Sequence, residues 1–193
     1  MKEFLGSNKI KTAVFISGSG SNLKNLIKFS LSKKSPIQIR YIISSNPKAK
    51  GLNFAKKFLI KSNIFRFKNK IKDENKILKK LKKQKVNFIC LAGFMRILSK
   101  NFIKKFNGKI INIHPSLLPK YKGLKTHERS IKNKDKFSGC TVHFVNSKLD
   151  SGKIILQKKV KISKSETKNS LAKKILVQEH KLYPKAILKV FNL

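Results

Sequence analysis

"KTAVFISGSGSNLKNLIKFSL" occupies residues 11–31. Its first part, KTAVFISG (11–18), is a short apolar run of the kind that forms a buried strand. SGSGSN (17–22) follows as a tight turn, in which glycines let the backbone bend sharply. SNLKNLIKFSL (21–31) then changes period, with apolar residues at 23, 26, 27 and 31 on one helical face. Strand, glycine turn and helix in this order begin a strand–helix–strand unit.

The same alternation continues along the chain. Strands are expected at 36–45, 63–67, 86–93 and 109–116, and helices at 49–60, 72–85 and 99–106. This argues for an α/β fold with a mostly parallel sheet covered on both faces. Beyond residue 120 the pattern shifts. A short helix at 126–133 precedes two closely spaced strands, 139–146 and 152–162, which fit an antiparallel or mixed extension. The tail reads as a helix with Ser165 as its cap and a break or kink at Pro184.

The chain has 193 residues, 40% of them hydrophobic, enough for one domain with a substantial core. No apolar run approaches the roughly 18 residues of a membrane span. The opening MKEFLGSNKIKTAVF has no secretory h-region or cleavage site. Cys90 and Cys140 sit in apolar runs and read as small buried hydrophobes in a reducing compartment. The formal charge is +39, from 47 Lys and Arg against 8 Asp and Glu. Phosphate contacts to nucleic acid, attraction of small anions and plain lysine-rich composition all account for it. The cations are spread over the whole length and only four are arginine, which weakens the nucleic-acid reading.

Four stretches carry candidate chemistry. In ISGSGSNL (16–23), the helix N-terminus and the Ser19 and Ser21 hydroxyls suit a phosphate. The third glycine of a dinucleotide loop and the Lys of a Walker loop are both absent, so an ordinary turn stays open. In INIHPSLLPKYKG (111–123), Asn112 and His114 lie two apart and point to one side at a strand end. There an amide N–H can meet developing negative charge and an imidazole can exchange a proton. A strand-capping histidine is the plainer alternative. Asp150, in the turn KLDSGKII (148–155), would favour a charged His114 if the two meet, and is otherwise a turn former. LAGFMRILS (91–99) offers an apolar loop with Arg96 that could close over a flat ring, or tuck into the core. His143, within a strand, fits the core or a ligand's edge. No cysteine pair or H-E-x-x-H run suggests zinc, and no metal is expected.

Taken together and in order, ISGSGSNL, LAGFMRILS, NIHPSLLPKYKG, GCTVHFV, LDSGKIILQ and QEHKLYP closely resemble the phosphoribosylglycinamide formyltransferase family, over about residues 11–190. The resemblance implies a Rossmann-like sheet with an extension in a single catalytic domain over 1–193. The phosphate-binding half would span about 10–110 and the catalytic and folate-contacting half about 86–193. It implies an enzyme that moves a formyl group from 10-formyltetrahydrofolate to the amine of phosphoribosylglycinamide in purine biosynthesis. It implies Asn112, His114 and Asp150 as catalytic, and Ser19, Gly20, Ser21 and Asn22 at the ribose phosphate. Glu179 would lie near the amine. Met95, Arg96, Ile97 and Leu98, with Asn112 and Lys72, would hold the folate. Lys72 would stand just before a helix at 73–84, where bacterial relatives have an arginine, so the two-pronged contact is lost. Ser130 replaces a small apolar residue. The implied partners are anionic small molecules, without obligatory nucleic acid or membrane, for a cytoplasmic monomer or homodimer.

NIHPSLLPKYKG is shared with the enzymes that formylate initiator methionyl-tRNA, which usually carry a further C-terminal domain. Formyl-folate hydrolases usually carry an N-terminal one. A basic nucleic-acid-binding protein would explain the charge but not the Asn112, His114 and Asp150 set.

Overall fold

In the computed structural model, which describes residues 9–193, β1 (Ile10–Ile16) is fully buried from Ala13 onward. A strand covered on both faces needs an uninterrupted apolar run, and the sequence supplies one. The described residues divide into two compact units, 9–111 with Leu193, and Asn112–Asn192. The reading of the chain's opening as free of a secretory signal falls largely on residues 1–8, outside the described residues.

The first unit follows the alternation. β1 leads into α1 (Ser21–Leu31), then β2 (Ile37–Ser44), α2 (Leu52–Lys57), β3 (Lys61–Ile64), α3 (Lys70–Lys83), β4 (Phe88–Leu91) and α4 (Lys100–Lys105). The strands lie in the order β3-β2-β1-β4, and β1 pairs parallel with both β2 and β4. β5 (Lys109–His114) carries the chain into the second unit. There α5 (Thr126–Lys132) precedes β6 (Phe137–Phe144) and β7 (Ile154–Lys161), which pair antiparallel, and α6 (Lys168–Val190) closes the unit. β7 carries Lys158, Lys159 and Lys161, charges that discourage pairing with another chain.

Several boundaries move for identifiable reasons. β3 lies earlier than the expected 63–67, because Phe67 takes a left-handed conformation (φ 57°) and its N–H is bound by Asp73 Oδ2 at 2.8 Å. α3 also starts earlier, at Lys70, because Asn69 caps it by accepting the Lys72 N–H at 3.0 Å. It ends earlier because Lys85 turns left-handed (φ 53°), while Val86 N–H reaches back to the Leu81 carbonyl. Lys72 therefore lies inside the helix, not before it. α2 is shorter than 49–60, stopped by left-handed Leu59. The cap of α6 is Thr167, not Ser165, in a reciprocal box with Ser170. Pro184 does not break α6. Proline forgoes one helical hydrogen bond, but Leu182, Tyr183, Ala186, Ile187 and Val190 are all buried around it.

Cys90 and Cys140 are free and buried. Burial, with the Glu179 carboxylate nearby, pushes the Cys140 thiol up to about 12, so it is no thiolate nucleophile. Among the described residues, no helix is long and apolar enough to cross a membrane.

Candidate active site

The second unit brings the sequence-predicted trio together. Asn112 and His114 lie on the same side of β5, as their two-residue spacing requires. The His114 ring is buried, with Nδ1 at 3.4 Å from Asp150 Oδ2. Its Nε2 donates to the Tyr121 carbonyl at 2.8 Å. Asp150 sits in the β6–β7 connection with φ 43°, a left-handed conformation that aspartate tolerates better than most residues. Gly123 N–H donates to Asp150 Oδ2 at 2.9 Å and holds the carboxylate in place.

The loop after β5 is built to present these two backbone groups. Thr141 Oγ1 donates to the Ser116 carbonyl at 2.6 Å and accepts the Leu118 N–H at 3.1 Å. Tyr121 is anchored through its hydroxyl to Asp135 Oδ2 at 2.7 Å, and the Arg129 guanidinium lies 4.9 Å over its ring. Lys120 pairs with Asp135 at 3.1 Å, and Lys122 donates to Ser151 Oγ at 2.6 Å beside Asp150. Tyr121, Gly123 and these lysines carried no assigned role in the sequence, because each acts through backbone or loop contacts that residue type does not reveal.

Charge and burial compete at this site. Burial pushes the His114 ring below its ordinary value, and the Tyr121 carbonyl and Asp150 only partly restore it. Asp150 is pushed up by burial, but the His143 ring, the Gly123 N–H and the His114 ring bring its carboxyl below the ordinary range. Asp150 is thus ionised at neutral pH. His114, between two acceptors, satisfies one of them when neutral and both when it takes a proton.

His127 is also lowered, by burial and by the neighbouring His114, and His180 by burial. Three histidines with lowered values give a signed prediction. The unfolded chain binds more protons below about pH 6.5, so stability is full above that value and falls as pH drops through it. The lowered carboxylates, Asp150 and Glu166, lose their contribution only below about pH 4 and do not alter this window. Urea midpoints are expected to be level from pH 8 to 7 and to decline toward pH 5. A midpoint that rises toward pH 5 would contradict the burial of neutral rings.

The residue that joins the trio is His143, on β6. Its Nε2 lies 3.2 Å from Asn112 Nδ2 and 3.6 Å from Asp150 Oδ1. The available signal was its period-two spacing with Thr141, two polar residues on one face of GCTVHFV. Glu179, on α6, is buried in the same unit.

The first unit holds the other sequence-predicted groups. Gly20 has φ 76°, and a Cβ there would stand 2.5 Å from Gly51 Cα. The turn is therefore glycine by necessity at 20, whereas a Cβ on Gly18 would meet nothing within 4 Å. No side chain caps α1 and its first turn has no acid, both compatible with an anion there. Ser19 is exposed, Ser21 half-buried and Asn22 buried. The Met95 N–H donates to Ser17 Oγ at 2.8 Å, tying the following loop to the end of β1. In that loop Met95 and Ile97 are 61% and 58% exposed and Arg96 is exposed, while Leu98 turns into the core. Phe94 also packs inward, edge-on to Phe15 and Phe67. The outward apolar pair offers a surface for a flat ring. Lys72 is exposed on α3. Among the described residues, no group of three or more His, Cys, Asp or Glu is arranged to hold a metal ion.

A family model described as formyl transferase matches residues 10–187. Phosphoribosylglycinamide formyltransferase of Haemophilus influenzae is 42% identical over 180 residues, covering 92% of this chain and 85% of that protein. The chain belongs to the phosphoribosylglycinamide formyltransferase family. The crystal structure of phosphoribosylglycinamide formyltransferase from Brucella melitensis superposes with a TM-score of 0.88 at 40% identity, over 95% of each chain. The human trifunctional purine biosynthetic protein adenosine-3 is 40% identical over 182 residues, which are 93% of this chain but 18% of that protein. The chain thus spans under a fifth of such trifunctional relatives. Membership of the formyltransferase family accounts for an α/β sheet with an antiparallel extension.

Proposed function

We propose that the chain transfers the formyl group of 10-formyltetrahydrofolate to the amine of N1-(5-phospho-D-ribosyl)glycinamide, in de novo purine biosynthesis. The observation that carries this reading is the buried His114–Asp150 pair beside Asn112, within a formyltransferase family member. The Ser19–Asn22 turn takes the acceptor's phosphate, and Met95, Arg96 and Ile97 face the folate ring, with Lys72 offering a point charge to its carboxylates. Glu179 serves the amine side.

The chemistry follows from residue types. The amine nitrogen attacks the formyl carbon, and negative charge develops on the formyl oxygen. An Asn112 amide N–H stabilises that oxygen. His114, held neutral by burial, accepts the proton that the attacking nitrogen sheds, and ionised Asp150 stabilises the imidazolium. The tetrahedral carbon then releases the folate nitrogen, to which His114 returns the proton. Atoms and charge balance without a covalent enzyme intermediate.

The two acceptors separate this reading from the tRNA one. Purified protein with 10-formyltetrahydrofolate is expected to formylate phosphoribosylglycinamide and to leave charged initiator tRNA unformylated; the reverse would overturn the assignment. Both ligands are anionic and the chain carries +39, so kcat/KM is expected to fall as ionic strength rises. A flat profile would show that the lysines do not steer them.

A further inference from the structure

We propose that His143 is a positioning residue for formyl transfer, acting by locking the amide of Asn112 with its N–H groups toward the reacting oxygen. The inference rests on the formyl-transfer reading above. The His143 ring is almost wholly buried, at 2% exposure, so its two nitrogens depend on protein partners. Nδ1 stands 2.8 Å from the Phe144 carbonyl oxygen, which has only lone pairs to offer. Nδ1 must therefore carry the proton. Nε2 stands 3.2 Å from Asn112 Nδ2, which has only protons to offer. In the neutral ring, with the proton on Nδ1, Nε2 is the lone-pair nitrogen. Asp150 Oδ1, at 3.6 Å from the same nitrogen, lies just outside hydrogen-bond distance and competes with Asn112 for it. The Phe144 carbonyl thus selects which tautomer the neutral ring takes.

That tautomer decides which way Asn112 points. A reversed amide would set the Asn112 carbonyl lone pairs against the lone pair of Nε2. In the observed orientation one N–H of Asn112 is held by His143. The other, on a side chain that remains partly exposed, is available to the formyl oxygen. A donor aimed before the reaction costs no reorganisation when charge develops. Without His143 the amide turns freely and presents its carbonyl oxygen, which repels that charge.

Two measurements test this. Nitrogen–proton correlation spectra of the imidazoles in the folded wild-type protein at neutral pH are expected to show His143 protonated at Nδ1 and bare at Nε2. A proton on Nε2, or on both nitrogens, overturns the proposal. This readout does not depend on turnover, so it stands apart from any failure of the formyl-transfer reading. In the formyl-transfer assay, His143→Phe keeps a ring but removes the acceptor. It is expected to lower kcat roughly tenfold to a hundredfold, short of the about 10²–10³ lost with an outright donor, with KM little changed. His143→Gln places a carbonyl oxygen near the position of Nε2 and is expected to recover most of that rate. Equal losses in the two variants, an effect confined to KM, or a wild-type rate in His143→Phe overturns it.

Discussion

Asp150→Asn is expected to lower kcat/KM for formyl transfer by about 10²–10⁴, the range of a lost general acid–base function. The substitution keeps the size of the side chain and leaves an oxygen for the Gly123 N–H, so the loop geometry is retained. It removes the negative charge that stabilises His114 once the ring holds a proton. Burial already disfavours the charged ring, and without the Asp150 charge only the Tyr121 carbonyl is left to offset it. His114→Ala is expected to cost about as much. Steady-state rates with both ligands saturable provide the check, and retention of wild-type kcat/KM by both variants would remove the pair from the mechanism.

Gly20→Ala is expected to be the most disruptive single methyl group in the turn between β1 and α1. An alanine at φ 76° carries about 1–2 kcal/mol of backbone strain. Its Cβ would stand 2.5 Å from Gly51 Cα, a backbone atom that cannot rotate away, adding about 1–3 kcal/mol of overpacking. A loss of about 2–5 kcal/mol should appear in the denaturant midpoint, with a raised KM for the phosphorylated acceptor. Gly18→Ala is the contrast: a methyl group there meets nothing within 4 Å and should leave the midpoint nearly unchanged. Equal midpoints for the two variants would contradict the steric account.

How far the sequence reveals this fold depends on how local each signal is. α1 spans Ser21–Leu31, as its apolar spacing predicts, because period and helix start are both encoded within a few residues. The antiparallel β6–β7 pair follows from two strands joined by a short turn. The displaced β3 and α3 depended on Phe67 and Lys85 adopting left-handed conformations, which neither residue type announces. Pro184 read locally as a breaker, yet buried neighbours along α6 outweigh one missing hydrogen bond.

The candidate site divides in the same way. Asn112 and His114 share a face by strand periodicity, so their pairing was legible. That Asp150 meets His114 is a contact across a fold, visible only in the structure. His143 was ambiguous because an imidazole inside a strand suits a core as well as a site. Its meaning lies in the Phe144 carbonyl and the Asn112 amide on either side of it. Resemblance to the family supplied the roles expected of the first unit's loops; composition alone supplied only an expected attraction for anions.

If Asn112, His114 and Asp150 form one proton-handling and charge-stabilising unit, the most direct measurement is a double-mutant cycle on formyl transfer. His114→Ala, Asp150→Asn and the double variant are assayed with 10-formyltetrahydrofolate and phosphoribosylglycinamide. Residues acting as a unit lose their function once, so the double variant should be slower than the worse single variant by no more than about threefold. Losses that multiply across the two sites would show independent roles and contradict the account.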